Sequence, residues 1–284
     1  MNVGSRNASD SSVGASETCG VADEEVLYGG VANAGRVVRV GQHVLRPANP
    51  HSTSLHRMLT GLSTAGFAGA SVPVGIDPDG RERLAFIPGD VAIPPYPAWA
   101  QGSAALGSVS RLLRRMHDVS TTVRLDEDAT WSDEMADPAG GDVVCHNDVC
   151  LENVVFRDGE AVGLLDFDFA APGRREFDLA AFARMCVPID DDVNAARLGW
   201  TRADRPARLR VVCDEYGLDE PGRERLLGCL DESIACGGEF VRRRVEAGEV
   251  AFIDMWEAMG GQKRFDRRRQ WWEDARPDFE AGLR

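Results

Sequence analysis

The stretch "VVCHNDVCLENVVF", Val143 to Phe156, sets a histidine, an asparagine and an aspartate side by side between two apolar runs, with Asn153 five residues after Asp148. The valines would let a strand run on into a core, so polar residues crowded at that point need a chemical reason. After Asn153 the runs "VVF" and "AVGLLDF" are joined by "RDGE", whose Asp158-Gly159 pair is a good two-residue hairpin turn. The hairpin folds Asp166 back beside the loop that holds Asp148 and Asn153. Two carboxylates and a carboxamide then converge at one end of a β-ribbon. Such an oxygen-rich site suits Mg²⁺, a hard cation that takes carboxylate, amide and water ligands. Asp168 has two open readings, a second metal contact or a solvated residue after the strand.

Composition bounds the answer. The chain has 284 residues and is 43% hydrophobic, enough for a sizeable core in two moderate domains or one large one. Asp and Glu outnumber Lys and Arg 46 to 32, for a net charge of -14. That field repels nucleic acid and anionic membranes and favours a cationic or neutral partner. Seven cysteines without a C-x-x-C pair fit reduced thiols, and a cytoplasmic location is expected. Residues 1–24 are rich in Ser, Gly, Asn and Ala, have no apolar signal region and read as a flexible tail. No run approaches the ~20 apolar residues of a spanning helix.

From Val26 to about residue 90 the pattern is a small α+β layer. Val37, Val38 and Val40 read as one strand and Val44 and Leu45 as the next, with the turn at Gly41 and Gln42. Leu55, Met58, Leu59 and Leu62 at helical spacing predict an amphipathic helix ending near Gly66, and "DPDG" predicts a turn between two further strands. Beyond the proline-rich connector "PGDVAIPPYPAWA" the pattern turns mostly helical.

A single aspartate in a turn is ordinarily a cap. The full pattern H-x-D-x-x-x-x-N, then a hairpin and an aspartate, matches the catalytic-loop logic of protein-kinase-like phosphotransferases. With "CHNDVCLENVVF" and "LLDFDFA" together, the sequence resembles the aminoglycoside phosphotransferase and choline kinase superfamily. The segments "LYGGVANAGRVVRV", "LAFIPG" and "RREFDLAAFARM" support the resemblance. It implies an α+β, two-lobed kinase-like fold: a small antiparallel-sheet lobe over 25–90 that binds nucleotide, and a larger, mainly helical lobe over 91–284. It further implies Asp148 as the base, Asn153 and Asp166 as Mg²⁺ ligands, and ATP or GTP as donor. His146, grouped with Asp148, corresponds to the histidine that braces the loop.

Other residues keep two readings. The cluster "GGVANAG", with Gly30 and Asn33, lets backbone amides approach phosphate, or is an ordinary hairpin loop. Arg46 stands where related kinases place a phosphate-gripping lysine. The helix "SLHRMLTGL" that should supply its carboxylate partner has no Asp or Glu, so the usual ion pair is missing at the expected place and Arg46 is expected to contact nucleotide without a helix partner. Phe86 and Ile87 are apolar walls for a purine ring or part of an edge strand. Asp178 is expected to cap the helix that follows Arg175. Asp190, Asp191, Asp192 and Trp200 would hold a cationic or sugar-like acceptor, or are a solvated acidic face. The late "KRFDRRRQWW" reads as a helix surface with Trp271 or Trp272 packed inward.

The expected activity is transfer of the γ-phosphoryl group of ATP or GTP to a hydroxyl of a small molecule, an aminoglycoside or other antibiotic. A kinase for choline, an amino alcohol or a sugar is the alternative. A nucleotide-binding pseudokinase is a third reading, motivated by Arg46 and opposed by the retained metal-site residues.

Overall fold

The computed structural model describes residues 24–27, 33, 35–201 and 204–284. The expected tail and Gly30 lie outside the described residues, apart from Glu24.

The first layer is an antiparallel sheet of β1 (Glu25–Val26), β2 (Val38–Val40), β3 (His43–Pro47), β4 (Pro73–Ile76) and β5 (Arg81–Ala85), in the order β1-β2-β3-β5-β4. Val40 pairs with His43 across the expected turn, where Gly41 takes φ +62°. In the "DPDG" turn the Gly80 amide donates to the Asp77 carbonyl at 2.9 Å. Helix α1 (Ser52–Thr64) buries Leu55, Met58, Leu59 and Leu62. Each such side chain contributes about 1.5–3 kcal/mol on burial, so this one stripe fixes the helix.

After Ala85 the chain leaves this sheet. At Gly89, φ is +152° and a Cβ would stand 2.4 Å from the Phe156 carbonyl oxygen. Only glycine lets the connector pass this close, and the passage delivers β6 (Asp90–Val91) to the edge of a second sheet, β6-β8-β9. There β8 (Val154–Arg157) and β9 (Glu160–Leu164) form the predicted hairpin, with Asp158 and Gly159 both at positive φ. The Leu164 amide donates to the Gly69 carbonyl at 2.8 Å, joining the hairpin to the segment after α1.

The remainder is mainly helical, as expected. Helix α2 (Ser103–Ser120) buries Leu106, Val109, Leu113 and Met116, and β7 (Val143–Cys145) pairs antiparallel with β10 (Ala171–Gly173). Then follow α3 (Arg175–Cys186), α4 (Asp192–Arg197), α5 (Arg205–Tyr216), α6 (Glu220–Glu246), α7 (Val250–Ala258) and α8 (Gln262–Leu283). Helix α6 packs on α3, and α5 on α2 and α8. On α8, Trp272 is buried and its indole donates to Asp231 at 2.6 Å, while Arg205 lies 4.7 Å over Trp271. No described helix is long and apolar enough to cross a membrane.

Candidate active site

Strand β7 ends at Cys145 and the chain breaks into the loop His146–Asn153. What holds this loop is Asp178, fully buried in the first turn of α3. Its Oδ2 accepts from the His146 amide at 2.8 Å, its Oδ1 from the Asn147 amide at 2.7 Å, and His117 Nε2 lies 2.9 Å from Oδ2. The expectation of a helix cap is therefore corrected: Arg174 holds the N-cap position, and Asp178 spends its oxygens on the loop. Burial alone would push this carboxyl up, but the His117 hydrogen bond, the nearby histidines and the His146 amide outweigh it and hold it below the usual range. The amides at 146 and 147 converge because Asn147 adopts φ +65°, a conformation asparagine tolerates better than most residues.

His146 is a positioning residue. The Asp148 amide donates to its Nδ1 at 3.3 Å, which leaves Nε2 to donate to the Leu165 carbonyl at 2.8 Å. A neutral ring does both, and burial lowers its basicity in keeping with that. The ring thus ties the loop to the segment that carries Asp166, and its face meets Phe167 with centroids 4.5 Å apart. Asn153 donates from Nδ2 to the Asp148 carbonyl at 2.9 Å and to its carboxylate at 3.2 Å. Burial, then the charge of Asp166, pushes the Asp148 carboxyl up to about 7.

The hairpin returns Asp166 to this loop, where the Leu165 amide donates to the Asn153 carbonyl at 2.8 Å. Arg46 reaches across from β3. Its Nη1 donates to Asp166 at 2.6 Å, Nη2 to Asp168 at 2.5 Å and Nε to Glu82 at 2.5 Å. As expected, α1 gives Arg46 no carboxylate: Glu82, opposite it on β5, supplies one instead, and α1 contributes His56, 2.7 Å from the other Glu82 oxygen. Asp168 is no solvated bystander, since it also accepts from Asn49 at 2.9 Å. Three carboxylates around one guanidinium leave surplus negative charge, and burial with the charge of Asp166 raises Asp168 to about 6. Asp166, Asp168 and Asn153 thus offer hard oxygen donors with charge to spare, which fits Mg²⁺.

Glu82 and Asn49 escaped the sequence reading, and Asp178 was read there only as a helix cap. Glu82 had a signal: in "RERLAF" it falls in phase with Leu84, so it points to one side of a half-buried strand, where a charge needs a partner. Asp178 had none beyond its place after the hairpin.

These groups close one end of a cleft of about 600 Å³ between the two layers. Leu27, Val37, Val44, Phe86 and Ile87 line the apolar end, and Asn33, Arg46, Asp148, Asn153 and Asp166 the polar end. Arg39 lies 3.9 Å over the Phe86 ring. The expected acceptor residues are not among those lining this cleft. Asp190 is buried and bonded to Arg264 and Asn194, and Asp191 caps α4. Asp192 pairs with Arg205 at 2.8 Å, and Trp200 is buried with its ring centroid 5.1 Å from that of Tyr96.

Residues 122–226 match the model of the phosphotransferase enzyme family. The trifolitoxin immunity protein of Rhizobium leguminosarum bv. trifolii is 34% identical over 217 residues, 75% of this chain and 80% of the relative. Among solved structures, a choline/ethanolamine kinase family protein from Mesorhizobium loti superposes with a TM-score of 0.61 at 15% identity, covering 93% of this chain and 92% of its own. The gentamicin complex of APH(2")-IIa gives 0.55 at 13% identity, covering 86% and 93%. Both carry the kinase-like fold that the two layers and the loop geometry describe. The chain belongs to the phosphotransferase enzyme family.

Proposed function

We propose that the protein transfers the γ-phosphoryl group of ATP or GTP to a hydroxyl of a small molecule. The carrying observation is the junction at which Arg46 of the first sheet, Asp166 after the hairpin and Asp148 of the loop meet at one end of an apolar cleft. In this reading the purine lies between Val44, Phe86 and Ile87, and Asn33 and Arg46 approach the phosphates. Asn153 and Asp166, with Asp168 beside them, hold Mg²⁺, which when bound neutralises charge on the phosphates. Asp148 orients the acceptor hydroxyl. As its oxygen bonds to the γ-phosphorus and the bond to the β-phosphate bridge breaks, Asp148 takes the proton.

The trifolitoxin immunity relative supports a role in antibiotic self-protection or resistance. A kinase for choline or another amino alcohol is the metabolic alternative, and the fold likeness to the choline/ethanolamine kinase family protein is compatible with it. The pseudokinase reading keeps its motive in Arg46 at the lysine position and in a helix without a carboxylate, but the pair that Glu82 supplies from the strand supports an active site. The test is Mg²⁺-dependent hydrolysis of ATP and GTP by the whole chain without acceptor, followed by a screen of hydroxyl compounds. Slow hydrolysis that stops on chelation and accelerates with an acceptor supports the reading. Nucleotide binding with no turnover toward any acceptor would favour the binding module.

A further inference from the structure

Arg184 on α3 and Arg264 and Arg268 on α8 are only 8%, 7% and 5% exposed, and the Nε of each is sealed from solvent without a hydrogen-bond partner. Arg264 is paired with Asp190. The side chains of Arg184 and Arg268 make no hydrogen bond or ion pair with any described residue. Of the nearby carboxylates, Asp190 is committed to Arg264 and Asn194, and Asp191 gives Oδ1 to the α4 amides with Arg267 at 3.8 Å, while its buried Oδ2 has no hydrogen-bond partner. A guanidinium cannot shed its proton cheaply, so burying two without partners costs folding energy that a purely structural role leaves unexplained. Burial pushes Arg184 down and Arg268 down to about 9.

Their place in the fold says what they serve. Arg184 lies against Gly237 of α6, where a Cβ would come within 2.8 Å of Nη1, so the glycine makes room for the guanidinium. One helical turn on, Phe240 meets Phe169, the residue after Asp168, with centroids 5.2 Å apart, and then Phe252 of α7 at 5.6 Å. The same face of α6 therefore carries an arginine seat and an aromatic wall that ends at the metal-binding segment. The charge of Arg184 is also felt by Asp148.

We propose that Arg184 and Arg268 seat an oxyanion of the acceptor, so that the phosphorylated molecule is a hydroxyl compound bearing a carboxylate or phosphate group, with its apolar part along Phe169 and Phe240. This rests on the phosphotransferase reading and reverses the cationic acceptor expected from Asp190, Asp191 and Asp192. Asp190 does not repel such an acceptor, because Arg264 neutralises it.

The test uses the full chain and four probes in calorimetry: gluconate, glycerol 3-phosphate, choline and kanamycin. At least one anion is expected to bind and neither cation; gluconate alone points to a carboxylate, glycerol 3-phosphate alone to a phosphate. In Arg268→Met and Arg184→Met anion affinity should fall roughly 10- to 100-fold, the worth of a charged hydrogen bond. The ligand-free melting temperature should hold or rise, because an unpaired buried charge has been removed. A clear fall in melting temperature, or a variant too unstable to purify, makes the arginines structural and overturns the proposal. So does anion binding unchanged in both variants, binding of the cations alone, or binding of neither anion by the wild type. Arginine-dependent anion binding with no Mg²⁺-dependent turnover of ATP or GTP would keep the pocket and sink the transfer reading instead.

Discussion

Arg46 and Glu82 face each other across β3 and β5, and the guanidinium Nε donates to the carboxylate at 2.5 Å. In protein kinases the corresponding cation is a lysine and its carboxylate comes from a helix. Here the neighbouring strand gives the carboxylate and the helix gives His56 to its far side. A strand partner in register is a rigid mount, because both side chains leave the same face of the sheet. Its charge environment, with Asp166, Asp168 and Glu82, keeps Arg46 firmly protonated.

Arg46→Ala should therefore raise the nucleotide KM by roughly 10- to 100-fold, the loss of charged contacts to phosphate, with circular dichroism unchanged. Arg46→Lys should recover only part of this, since one ammonium cannot reach three carboxylates and a phosphate in fork geometry. An unchanged KM in Arg46→Ala would place the phosphate grip elsewhere.

Asp178 makes a prediction about pH. Its folded carboxyl lies below the usual range, so its stabilisation is complete above the unfolded value of about 3.9 and disappears as pH falls through the folded value. Asp178→Ala strips two loop amides and His117 of their shared acceptor and should cost about 3–5 kcal/mol at pH 7. In urea titrations the gap between wild type and Asp178→Ala should stay constant from pH 7 to 5 and shrink only below about 4. A gap that widens as pH falls would reverse the assigned sign.

Much of this site was legible because its parts are local in sequence. His146, Asp148, Asn153 and Asp166 fall within 21 residues, and the Asp158-Gly159 turn fixes how they fold together. What stayed hidden depends on pairings distant along the chain. Glu82 is 36 residues from Arg46, and Asp178 meets the loop from a helix whose own pattern suggested a cap. The acidic run 190–192 shows the same limit: charge in a sequence does not reveal that Arg264, 74 residues away, pairs with Asp190.

Asp166 has φ +60°, in the left-handed region that asparagine accepts and alanine resists. Asp166→Asn and Asp166→Ala should both lose Mg²⁺-dependent nucleotide binding by calorimetry, because each removes an anionic ligand. Alanine should also lower stability by about 1 kcal/mol more than asparagine, the cost of holding a Cβ there. Equal melting temperatures would count against backbone strain at this position, and wild-type Mg²⁺-nucleotide affinity in either variant against the metal assignment.

Asp148 separates an active kinase from a binding module. Its carboxylate is oriented by Asn153 and opens on the cleft, while its amide and carbonyl are bound within the loop by His146 and Asn153. The main-chain contacts survive replacement of the side chain, so the loop should keep its shape in Asp148→Asn. The base is lost, and turnover should fall roughly 10²- to 10⁴-fold, the usual worth of a positioned base. Nucleotide Kd should hardly move. Because burial, and then the charge of Asp166, disfavours the replaced carboxylate, removing its charge should leave the melting temperature equal or higher. If Asp148 served only to cap its loop, the variant would instead lose about 0.5–2 kcal/mol of stability and keep its turnover while folded. Melting temperature, nucleotide Kd and single-turnover transfer measured on one preparation tell these apart, and wild-type turnover in a well-folded Asp148→Asn protein would remove Asp148 from the chemistry.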